Sequence, residues 1–262
     1  MSESRFPLRW CALLISAGLF TVLVARPELQ TAGADRAVPF KVGETLTFDI
    51  SWTSFVSAGT ATFSVKERRP AGLGRAAYYL VAELKPSAVI SKLYQFYYKA
   101  ESMMDTRTLL PSMATSYSDE GGRKLYETTT FKGNGAVQYE IRTATTATST
   151  LKMPTTAQDP LGALYILRAL PLKAGLSVPI PVTDGGKAYT MRVRVIGRES
   201  VKSRLGTLPA WKVAMTTSDA GGKAAAESLT VWISDDARKL PLKFAAELTV
   251  GSFQLTLARV TG

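Results

Sequence analysis

The 262-residue sequence has no histidine and one cysteine, Cys11, which sits in an apolar run near the N-terminus. Beyond residue 34 the chain therefore lacks the side chains that most often serve as general base, thiolate nucleophile or soft metal ligand. It also lacks disulfides, so its stability must come from a packed core. There is no Gly-x-Ser-x-Gly and no Ser-x-x-Lys in its usual hydrolase context. Gly133-Asn134-Gly135 lacks the spacing of a phosphate-binding loop, and no acidic run has the spacing of a calcium loop. The paired carboxylates, Asp119-Glu120 and Asp235-Asp236, lie in turn sequences. Adjacent turn positions need not converge on one substrate, so acid–base work by carboxylates is the weakest functional class. The expectation is a protein that binds rather than transforms, with no cofactor and no metal.

What is present begins with a leader. Arg5 and Arg9 precede an uncharged apolar run from Trp10 to Ala25, with small-residue exits after Ala25 and after Ala34. This is the order of a secretory signal, and the run is short of the ~20 residues a membrane span needs. Leu8-Arg9-Trp10 ahead of Cys11 is not a lipobox. Residues 1–34 are read as a signal peptide, with an uncleaved N-terminal anchor as the alternative. The rest, 35–262, is an exported domain, periplasmic in a Gram-negative cell.

The charge is +11, and removal of residues 1–34 leaves 29 basic against 19 acidic residues. Such a balance favours anionic partners, among them the surface of an anionic membrane. The basic residues, such as Lys66, Arg68, Arg69 and Lys85, are scattered, with no aromatic-interleaved cluster and no basic tail. That pattern excludes a dedicated nucleic-acid groove.

From Glu44 onward apolar residues recur with period two. Leu46, Phe48, Ile50 and Trp52 alternate with Thr45, Thr47, Asp49 and Ser51, the mark of a strand with one buried face. A turn is expected at Ser57-Ala58-Gly59, and others at Gly121-Gly122, Gly133-Asn134-Gly135 and Asp184-Gly185-Gly186. Pro86 to Leu93 reads as a short helical turn or loop. The Thr/Ala-rich stretch before Met153 reads as an edge strand. One segment is securely helical: Asp159 caps, Pro160 suits the first turn, and Leu161, Leu164, Tyr165, Leu167 and Arg168 follow at helical spacing up to Pro171. The predicted fold is mainly β: strongly curved antiparallel sheets, half-barrel or barrel-like, around one central helix at 159–170. Two echoes point to related halves at about 40–155 and 172–262. One pairs Gly59–Val65 with Gly206–Val213. The other pairs Asp105–Pro111 with Asp235–Pro241, each an Asp-led turn ending in Leu-Pro.

Phe40-x-x-Gly43-Glu44-x-Leu46, Ala58-Gly59, the helix from Asp159 to Arg168, Val231 to Asp236 with Leu240-Pro241, and Gly251-Ser252 follow one another along the chain. In that order they resemble a bacterial envelope family catalogued as domain of unknown function 3108. The resemblance spans about Phe40 to Thr261 and implies an envelope location without implying a chemistry. The Trp-x-x-Asp-Asp turn with Leu-Pro-x-Lys is also similar to one in periplasmic carriers of the lipoprotein-localisation type. That likeness implies a curved sheet around a hydrophobic cavity, although this chain has fewer helices.

A curved sheet has a concave face that helices, side chains or a ligand must fill. Tyr94, Phe96 and Tyr98, with Tyr165 on the helix, are the candidate ligand-binding residues, and the ligand class is an amphiphile, a lipid or a lipid-linked group. The alternative is an envelope protein-interaction or scaffold module using the Thr-rich strands from Lys124 to Leu151 as an edge.

Overall fold

In the computed structural model, residues 34–52, 56–72, 74–248 and 251–262 are described. The leader expected over residues 1–34 lies outside them but for Ala34.

Fourteen strands form one antiparallel sheet. The first run is β1 (Thr45–Trp52), β2 (Val56–Pro70), β3 (Ala76–Pro86), β4 (Phe96–Asp105), β5 (Pro111–Glu120), β6 (Arg123–Phe131), β7 (Ala136–Arg142) and β8 (Thr146–Lys152). The second is β9 (Ser177–Asp184), β10 (Lys187–Ser203), β11 (Gly206–Asp219), β12 (Ala224–Ser234), β13 (Pro241–Leu248) and β14 (Gly251–Thr261). Each run is a meander of neighbours, and the two join where β1 pairs with β14. Two helices interrupt them: α1 (Ala88–Leu93), a second helix beside the one securely expected, and α2 (Pro160–Ala169) between β8 and β9.

The sheet curls without closing. Its two edges are β8 and β9. The segment after β8 returns to β9, where the Gln158 amide donates to the Pro181 carbonyl and the Thr183 amide to the Gln158 carbonyl. The seam is also packed: the Tyr139 ring on β7 lies so close over Gly186 that a Cβ there would meet ring atoms at 2.6 Å. Gly186 has φ +70°, so the turn and the ring both require glycine.

The inner face holds a core of alternating residues: Leu46 and Phe48 on β1, Val193 and Val195 on β10, Val213 on β11, Ile233 on β12 and Leu257 on β14. Burial of each contributes about 1.5–3 kcal/mol, against the entropy of ordering the chain. α2 is laid across this face. Asp159 caps it, its Oδ1 accepting from the Gly162 amide at 2.9 Å, and Leu161, Ala163, Tyr165 and Leu167 are buried.

Several expectations need correction. Ser57-Ala58-Gly59 is not a turn but the start of β2, with Gly59 opposite Ile50 and Pro86. A Cβ at Gly59 would lie 2.1 Å from the Lys85 carbonyl oxygen, so the glycine permits close strand approach. Of the stretch Lys124–Leu151, only β8 is an edge, because β6 and β7 are paired on both sides. The Asp-led turns do match in geometry: Leu109 (φ 58°) and Lys239 (φ 47°) hold the same left-handed position before Leu-Pro. They align β4–β5 with β12–β13, whereas the Gly59 and Gly206 echo aligns β2 with β11 and falls one strand out of step.

Candidate functional site

The inner face changes character along its strands. On β1, Leu46 and Phe48 are fully buried, Ile50 is partly open and Trp52 is exposed. β3 repeats this from Leu80 and Ala82 to Leu84, β4 from Met104 and Ser102 to Phe96, and β14 from Leu257 to Leu255 and Phe253. Register aligns the series: Phe48 stands opposite Leu257, Ile50 opposite Leu255 and Trp52 opposite Phe253. The core thus fills one end of the curled sheet and gives out at the other.

At the open end is an apolar hollow of about 590 Å³. Ile50, Leu84, Phe96, Phe253 and Leu255 line it from the sheet, while Ile90, Leu93 and Tyr94 line it from α1 and its end. Trp52 stacks on Phe253 at its edge, ring centroids 6.2 Å apart. Among the described residues Lys85 is the only charged one on the wall, and its Nζ pairs with Glu83 at 3.2 Å.

Leu84 also belongs to the wall of a second, deeper cavity of about 180 Å³ beneath the N-terminus of α2. Phe63, Tyr98 and Leu161 give it an apolar side; Glu127, Asp159 and Asp184 give it an acidic one. Burial raises the Asp159 carboxyl above the usual carboxylate range, against the pull of hydrogen bonds from the Gly162 amide and from Ser102 Oγ at 2.7 Å. Burial, then the charge of Glu127, raises Asp184. The Tyr139 hydroxyl donates to Glu127. Burial, with the negative charges of Asp184, Glu127 and Asp159, pushes Tyr98 up to about 12, so its hydroxyl stays neutral.

The four candidate residues are thus divided. Phe96 and Tyr98 are successive inward residues of β4, the first in the hollow and the second in the deeper cavity. Tyr94 caps the C-terminal end of α1 at the mouth. Tyr165 lines neither space. It is packed in the core against Phe40, ring centroids 4.9 Å apart. Its hydroxyl is buried without a hydrogen-bond partner among the described residues. Sequence reasoning missed Ile50, Leu84, Phe253 and Leu255, because alternation marks a face as inward but not whether that face is filled.

Of the motifs that carry the family resemblance, the Phe40–Glu44 segment and the turn before Leu240-Pro241 meet elsewhere, on α2. Arg168, 1% exposed, donates through Nη1 and Nη2 to the Glu44 carboxylate at 2.5 and 3.0 Å. Its Nε donates to the Lys239 carbonyl (3.0 Å) and its Nη2 to that of Arg238 (3.1 Å). Residues 47–258 match the family model described as protein of unknown function (DUF3108). The chain belongs to the DUF3108 family. No curated protein matches it. The fold of this DUF3108 chain is similar to a beta-barrel-like protein of domain of unknown function DUF1849 from Brucella abortus. That likeness has a TM-score of 0.52 at 10% identity, over 83% of this chain and 96% of that one. A Bacteroides fragilis protein described as exported, with a YmcC-like fold, gives a TM-score of 0.37 at 11% identity, over 87% of this chain and 100% of that one.

Proposed function

We propose that this DUF3108 protein is an exported, non-catalytic envelope protein, periplasmic in a Gram-negative cell, that holds the apolar part of an amphiphile in the hollow between α1 and the inner face of β1, β3, β4 and β14. The hollow itself carries the reading. Its volume of about 590 Å³ falls within the roughly 300–1,000 Å³ of small-molecule sites, and its wall is apolar apart from the Lys85 and Tyr94 heads. Such a wall offers an acyl chain burial and offers a polar metabolite nothing to orient it. The apolar run from Trp10 to Ala25 supports export, and a body free of histidine and cysteine supports binding over chemistry.

Native mass spectrometry of the purified protein tests this. An added amphiphile mass, and tight binding of a fluorescent fatty acid, are expected. Ala58→Phe, which places a ring in the hollow, weakens that binding at least ~10-fold, about 1.4 kcal/mol, with unchanged circular dichroism. A folded protein that neither carries nor takes up an amphiphile would overturn the reading. The second reading, an envelope protein partner, rests on β8, a free edge whose residues are exposed except for half-buried Leu151. A partner strand would extend the sheet there.

A further inference from the structure

α1 is a short helix that does not do what apolar helices usually do. Its sequence is Ala-Val-Ile-Ser-Lys-Leu, and none of its six residues is buried. Val89 and Leu93, one turn apart on one face, are 69% and 81% exposed, more than any other large hydrophobic residue described. The next residue, Tyr94, is half exposed, and Trp52 stands across the mouth of the hollow. Four of the nine exposed large hydrophobic side chains among the described residues thus gather at one rim. The helix is held from beneath: the Ser87 amide donates to the Ala58 carbonyl (2.8 Å) and the Ser87 hydroxyl to the Ser57 carbonyl (3.0 Å). Among the described residues nothing covers its outer face.

We propose that this rim docks the protein on an anionic lipid bilayer, Val89 and Leu93 entering the acyl boundary while Trp52 and Tyr94 lie at headgroup level. The residue chemistry selects a bilayer over a protein groove. Exposed aliphatic groups beside Trp and Tyr, with lysines whose long stems let the ammonium reach outward, form the pattern of interfacial elements. The charges complement it. Lys92 in the last turn of α1 and Arg123 in the β5–β6 turn, which the Gly121 amide ties to the Gln95 carbonyl next to Tyr94 (2.8 Å), are exposed against exposed Glu120, while Lys85 is paired with Glu83. Each basic group near an anionic surface adds to the attraction, and salt screens it. The hollow opens within the rim, so docking would let an acyl chain pass from bilayer to protein without crossing water. The docking goes beyond the amphiphile reading and stands or falls separately from it.

The test uses the full chain, and Cys11 makes it convenient as the sole cysteine. In a Cys11→Ser background, Leu93→Cys carries an environment-sensitive nitrobenzoxadiazole label. The control is Ile196→Cys, an exposed apolar site on β10 outside the rim. Vesicles of phosphatidylcholine with phosphatidylglycerol are added. The expected result is a several-fold, blue-shifted rise at position 93, quenched by spin-labelled acyl chains, with no change at 196. Lys92→Glu lowers the response several-fold. Equal responses at 93 and 196, or vesicle binding with neither label responding (attachment through the leader alone), would overturn the proposal. An equal response to pure phosphatidylcholine would overturn its anionic part.

Discussion

Arg168 shows how much one side chain can be asked to hold. Its guanidinium is removed from water, and only a full set of acceptors makes that tolerable: the Glu44 carboxylate and two carbonyls of the β12–β13 turn. Truncating one member of such a buried pair is far worse than replacing both. Arg168→Met should lower stability by about 3–5 kcal/mol, because it strands Glu44 and frees two carbonyls. Arg168→Met with Glu44→Met should recover part of that loss, a coupling of about 0.5–3 kcal/mol, read from urea midpoints at unchanged slope. The residues of this network were visible in the sequence as separate motifs. Their partnership was not, since Glu44 and Arg168 are far apart in the chain and nothing in periodicity pairs them. In the same way, Tyr165 read as a ligand-facing aromatic on the helical stripe, yet the stripe is buried on the side where Phe40 returns to cover it.

Among the elements, α2 is a strut between the two Asp-led turns. At its N-terminal side Gln158 Nε2 donates to the carbonyl of left-handed Leu109 (3.3 Å), and at its far end Arg168 does the same for left-handed Lys239. The cap is the more revealing end to perturb. Asp159 has its carboxyl raised by burial, so the folded state keeps a proton that the unfolded chain has already released. Stability from this group is therefore greatest at low pH and falls as pH rises from the ordinary carboxylate value through the raised one. Asp159→Asn keeps an acceptor for the Gly162 amide and should flatten that dependence at little cost, whereas Asp159→Ala should cost about 1–2 kcal/mol. Thermal unfolding from pH 4 to pH 8 distinguishes the three proteins. The α2 sequence announced its own cap and stop, so its bounds were legible. α1 was ambiguous because six residues give too little periodicity. The β1–β2 turn was misplaced because Gly59 serves a close approach, which leaves the same mark in sequence as a turn.

At the scale of the molecule, a curved, mainly β architecture was readable from alternation and glycine turns. What alternation could not tell was the strand order, the seam, or which stretch of inner face lies empty, because each depends on contacts between strands remote in sequence. The order predicts a gradient of local stability. Amides of β1 and β14, paired on both sides over the core, should exchange with solvent slowest, and those of β8, with one partner and exposed side chains, fastest. Hydrogen exchange followed by mass spectrometry checks this. Uniform protection across β8 would mean that something covers that edge.

The pairing of Thr45 with Thr261 has a consequence for how the domain is made. The central pairing of the sheet joins β1 to β14, so its zippering must wait until residues 45–261 are all present. Each run can meander into place as it emerges, but β1 and β13 remain raw edges until β14 arrives. Closure of so long a loop makes assembly slow. If the chain is exported in an extended state, as proposed above, that late pairing of β1 with β14 would be made only after translocation.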